Sequence, residues 1–139
     1  MNCVRNFAAF AGLSGILIAC ASPGEASTRA FPVACSVVGK TDAGLDEQVC
    51  REAMSVLSQT YPDIKFVLGT PSPGPSLEII IHNATTSSVG LQLKWRGPSG
   101  EITEGSRVSV VMTDRKLDAG RRQSLYLRAL TATPMPKQE

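Results

Sequence analysis

The side chains in this sequence with the richest chemistry are four cysteines and a single histidine. Cys3 and Cys20 fall in the first 20 residues, which read as an export signal, so Cys35 and Cys50 form the pair in the remainder of the chain. An even pair in a chain that carries an export signal reads as a disulfide. Closing a loop of about 15 residues, such a bond contributes on the order of 3 kcal/mol. Two buried thiols and a redox pair are the alternatives. The spacing is not that of a C-x-x-C redox motif, and zinc sites need further Cys or His ligands, so no metal ligand set is expected. His82 has the chemistry of a general base, with Asp63 or Asp114 to orient it and a serine to activate. It falls at an outward position of a strand near a turn, where an inert histidine is the expectation. No G-x-S-x-G elbow, glycine-rich phosphate loop or H-E-x-x-H helix occurs, so neither a catalytic residue nor a cofactor is assigned.

The chain begins with the layout of a secretory signal over residues 1–20: Arg5, then an uncharged run from Phe7 to Ala19. That run is shorter than the roughly 20 apolar residues a membrane-spanning helix needs. It closes Leu17-Ile18-Ala19-Cys20, which resembles the lipobox of bacterial lipoproteins. The resemblance implies diacylation of Cys20 as the new N-terminus and a short tether over residues 21–29. Ordinary signal-peptidase cleavage after Ala21 or Ala26 is the rival reading. Either way, the expected location is the periplasm, with anchoring to the outer membrane under the lipoprotein reading.

At 139 residues the chain is one domain by length, with 42% hydrophobic and 19% charged residues, as in ordinary globular proteins. A net charge of +2 gives no strong global field, and seven aromatics without interleaved basic residues give no nucleic-acid platform. The charge is nevertheless uneven. From Lys94 to Arg128 eight basic residues stand against four acidic ones. Arg121, Arg122 and Arg128 are the candidate binding patch in this half, for an envelope protein or an anionic membrane surface. A solvated helix face is the plainer account of the same residues.

The elements that position these side chains follow from periodicity. An extended apolar segment runs from Phe31 to Val38. A helix over Leu45 to Tyr61 sets Leu45, Val49, Ala53, Val56 and Leu57 on one stripe, with Asp46 and Glu47 in its first turn and Pro62 stopping it. A short strand over Lys65 to Leu68 precedes a Pro/Gly run, residues 69–75, read as a connector. Leu77, Ile79 and Ile81, then Val89, Leu91, Leu93 and Trp95, then Val108, Val110 and Met112 alternate as three strands. Glu78, His82, Gln92, Lys94, Arg107 and Ser109 point outward in this pattern. A second helix is predicted from about Leu117 to Ala132, and the tail over residues 134–139 is expected to be disordered.

The predicted domain therefore occupies residues 30–133 and is α+β: a mainly antiparallel sheet of about five strands with two helices on one face, in the order β-α-β-β-β-β-α. In order and size this is similar to the plan of small envelope lipoproteins such as the lipopolysaccharide-assembly lipoprotein of the outer membrane. That likeness rests on element order and the lipobox, and no functional residue follows from it. The function expected is a non-catalytic cell-envelope protein that binds or supports a partner through a sheet edge, the Pro/Gly loop or the basic half. A small periplasmic hydrolase built around His82 is the alternative.

Overall fold

A computed structural model describes residues 30–70 and 72–138. The expected signal and tether, with Cys3 and Cys20, lie outside the described residues. The elements are β1 (Ala30–Val37), α1 (Leu45–Thr60), β2 (Lys65–Leu68), β3 (Ser76–Ala84), β4 (Ser88–Arg96), β5 (Ile102–Glu104), β6 (Val108–Val111) and α2 (Ala119–Ala132). The protein is α+β. Its one sheet runs β2-β1-β3-β4-β5, with β6 also pairing to β4.

The sheet is mixed. β1 is parallel to both of its neighbours, Val33 lying opposite Leu68 of β2 and Leu77 of β3, while the three ladders of β4 are antiparallel. β2 therefore ends at the level where β3 begins, on opposite sides of β1. The Pro/Gly run joins the two across β1, and Thr70 and Ser72 lie against Pro32 and Ala34 on the sheet's outer face. That short path is what lets residues 69–75 act as a connector between parallel strands, a link that ordinarily takes a longer crossover.

β5 is a strand beyond the five expected. Together with β6 it forms one broken edge along β4: Lys94 pairs with Glu104 and Leu91 with Val108, so two residues of β4 face three between the short strands. The break is a bulge. Gly105 sits in it, donating from its N–H to the Leu93 carbonyl at 2.9 Å. A Cβ on Gly105 would fall on the Thr133 side chain, so the close approach of the end of α2 accounts for the glycine.

Both helices cover one face. Val49, Cys50, Ala53, Val56 and Leu57 of α1 and Leu125, Tyr126, Ala129 and Leu130 of α2 are buried against Val33, Leu77, Ile79, Ile81, Leu91, Leu93 and Trp95. Trp95 is core, as its strand position implies. Its ring stands edge-to-face with Phe31 at 5.9 Å and Tyr61 at 6.2 Å, and its Nε1–H donates to the Thr133 carbonyl at 2.7 Å. The chain past α2 stays in contact with this cluster, the Met135 N–H donating to the Tyr61 hydroxyl at 3.1 Å. Asp118 caps α2 by accepting from the Arg121 N–H at 2.8 Å, which starts the helix at Ala119.

Candidate functional site

Cys35 of β1 and Cys50 of α1 are joined in a disulfide, with an S–S distance of 2.04 Å and a Cα–Cα distance of 6.3 Å. The bond ties the first helix to the first strand beside the end of β2. Among the described residues, no group of His, Cys, Asp and Glu is gathered closely enough to hold a metal ion.

His82 lies half-buried on the outer face of β3. Its Nε2 meets Gln92 Oε1 at 2.9 Å, and the Gln92 Nε2 donates to Glu104 Oε1 at 2.9 Å and to the Gly105 carbonyl at 3.0 Å. Two acceptors on one side fix the amide's orientation, so the proton of the His82 contact sits on Nε2. The hydrogen bond made by His82 thus goes to an amide. The one Ser–carboxylate contact nearby joins Ser36 Oγ to Glu78 Oε1 at 3.1 Å, on the same face.

The three candidate arginines do not stand as one free cluster. Arg122 points into the helix interface, where its Nε and Nη2 donate to Glu52 at 2.9 Å each and its Nη1 to the Leu117 carbonyl at 2.9 Å. Arg121 is exposed and lies 3.7 Å from its helix cap Asp118. Arg128 reaches over the sheet edge and donates to the Ser109 carbonyl at 3.2 Å. Arg121 is the one whose charge stays at the surface beside a single carboxylate.

Glu52 is the residue that sequence reasoning missed. It accepts from Arg122, from the Tyr126 hydroxyl at 2.6 Å and from Gln48 Nε2 at 3.0 Å. Burial acts to raise its carboxyl pKa, but the hydrogen bonds donated by Arg122, Tyr126 and Gln48 outweigh burial and hold it below the ordinary value. Burial and the neighbouring carboxylate push the Tyr126 hydroxyl strongly upward. The signal was in the spacing: Glu52 follows the core position Val49 by three and precedes Val56 by four, and Arg122 and Tyr126 are four apart on α2.

One side of β1 is an open edge over part of its length. The Gly69 N–H donates to the Val33 carbonyl at 2.9 Å, and the Val38 N–H donates to the Ile81 carbonyl at 2.7 Å on the β3 side. Main-chain groups alternate in direction along a strand, so those of Cys35 and Val37 face the same side as Val33. There β2 has already ended, and no described strand lies next to them. Beside this half-edge is a groove of about 470 Å³ lined by Cys35, Asp46, Glu47, Arg51, Leu68 and Gly69. Val37, Val38 and Leu68 around it are 42%, 55% and 50% exposed.

Neither a scan against protein-family models nor a search of curated proteins returned a match to this chain.

Proposed function

We propose that the protein is an exported binding domain of the bacterial cell envelope, tethered through a lipid on Cys20, that engages a partner without transforming it. The observation that carries this reading is the unpaired half of the β1 edge, next to a groove and flanked by exposed apolar side chains. Native sheets ordinarily shorten, charge or cover such an edge. The disulfide adds support for export, since such bonds persist in oxidising compartments. In this reading membrane attachment comes from the lipobox-like Leu17-Ile18-Ala19-Cys20. The hydrolase reading has less support, because the His82 hydrogen bond goes to the Gln92 amide rather than to a serine or carboxylate.

The test is the intact mass of the mature chain from separated membrane and soluble envelope fractions, before and after reduction, combined with crosslinking of envelope partners. A diacylated chain beginning at Cys20 with a reproducible crosslinked partner is expected. An unlipidated chain that crosslinks to nothing and hydrolyses an ester or glycoside would replace this reading with the enzymatic one.

A further inference from the structure

We propose that the open half of β1 takes up an extended polypeptide segment as an added strand, and that the segment presents a lysine or arginine to the groove between β1 and α1. This deepens the partner-binding reading and rests on it.

The backbone sets the class of ligand. Cys35 and Val37 each offer an N–H and a carbonyl toward the side that β2 vacates, two residues apart. Two residues of an extended chain span about 6.6 Å, so another polypeptide in β conformation matches the spacing of these donors and acceptors. The added strand would continue the line of β2, whose last ladder bond is the one from the Gly69 N–H to the Val33 carbonyl. Continuity with that ladder sets both position and length: the segment is four or five residues, roughly the span of Ala34 to Val38, because β1 ends at Val37 and the backbone leaves the extended region at Gly39, whose φ is 98°.

The side chains set the sequence of the ligand. Phe31 and Val33 face the helices, so by alternation the inner row along this edge runs through Cys35, and Leu68 lies in the same row of β2, opposite Val33. An inward residue of the added strand therefore enters the groove against Leu68 and the disulfide, which suits an aliphatic stem. The wall beyond carries Asp46 and Glu47 against one guanidinium, that of Arg51. The surplus of negative charge selects a basic head on that stem. The outward residues of the strand lie beside Ala34, Ser36 and Val38 on the outer face, where side-chain identity matters less.

The probe is a fluorescein-labelled heptapeptide of alternating threonine and valine with a central lysine, compared with the same peptide carrying a central glutamate. Binding to the oxidised full-length chain is followed by anisotropy, and amide hydrogen exchange is followed at Cys35 and Val37. Saturable binding of the lysine peptide is expected, with at least tenfold weaker binding of the glutamate peptide and slowed exchange at those two amides. Val37→Pro deletes one of the edge donors while leaving the ladder with β3, whose bonds come from the alternate residues; it should abolish binding. Should that variant fold poorly, the doubly substituted Asp46→Lys, Glu47→Lys protein decides, because it should reverse the preference toward the glutamate peptide. Equal affinity for the two peptides, no binding of either, or binding that Val37→Pro leaves intact would overturn the proposal. So would a homodimer of the wild-type chain that Val37→Pro dissociates, since a second copy would then be the occupant. If Val37→Pro still crosslinks the envelope partner of the wild-type chain, the edge assignment falls while the partner-binding reading stands.

Discussion

The two edges of the sheet solve the same problem in opposite ways. At the β5–β6 edge the strands are short and broken by a bulge, and Arg128 from α2 covers the outward carbonyl of Ser109. At the β2–β1 edge the outer strand is four residues long against eight in β1, and nothing described takes its place beyond Leu68. A chain that uses bulge and arginine on one side can use them on the other. The difference leaves on the β1 side main-chain groups that no described strand pairs. What steadies that side in the absence of a strand is covalent: the disulfide fastens β1 to α1 where the ladder with β2 has run out.

The largest expected effect tests that statement. Replacing Cys35 and Cys50 together by serine should cost about 3 kcal/mol in denaturant unfolding. The accompanying rise in amide exchange should concentrate in β1 and β2; an even rise across all six strands would break the contrast between the edges.

Next in size is the link between α1, which the disulfide ties to the open edge, and α2, whose Arg128 reaches the closed one. Glu52→Gln leaves Arg122 and Tyr126 without their carboxylate and should cost about 2 kcal/mol. The pH dependence has a definite sign. The Glu52 pKa is lower in the folded protein than its ordinary value of 4.5, so its contribution is complete above that value and is lost as pH falls below it. Tyr126 is raised above its ordinary value of 10.0, so folding loses stability as pH climbs past that value and the unfolded chain ionises. Stability curves of Glu52→Gln should lose the acid limb, and those of Tyr126→Phe the alkaline one.

Gly105→Ala probes the closed edge from within. The added methyl meets Thr133, and a loss of about 1 to 2 kcal/mol is expected, partly restored by Thr133→Ala in the same chain. The smallest effect belongs to Arg128→Ala, an exposed contact worth about 0.5 kcal/mol or less in thermal unfolding. Its readout is association instead: uncovering Ser109 beside the exposed Val111 should make that edge self-associate in concentration-dependent sedimentation.

Much of this architecture was legible beforehand. The stripe Leu45, Val49, Ala53, Val56, Leu57 and the alternation from Leu77 to Trp95 report burial directly, because each element buries one face. The cysteine pair was legible because Cys35 and Cys50 are the even pair left outside the N-terminal stretch, and the structure joins them. Strand pairing was not. That β1 is parallel to both neighbours depends on where β2 stops, and the four-residue run Lys65–Leu68 closed by Gly69 does not say which strand it joins. β5 escaped notice because Ile102, Thr103 and Glu104 are all exposed and show no buried alternation. The arginines were read as a surface because charge density along a sequence is blind to a carboxylate on another helix: Glu52 stands 70 residues before Arg122.

The placement of β1 has a consequence for the order in which the molecule assembles. β3 and β4 are adjacent in sequence and close a hairpin over a short turn, whereas β1 leaves the ribosome first and pairs with strands made much later. Val33 waits for both Leu68 and Leu77. Until then the earliest part of the fold has only its local partner, the helix that follows it, and the Cys35–Cys50 bond is the covalent link between the two. Once formed, the bond holds β1 and α1 together as a single piece onto which the later-made β3–β4 hairpin can pair.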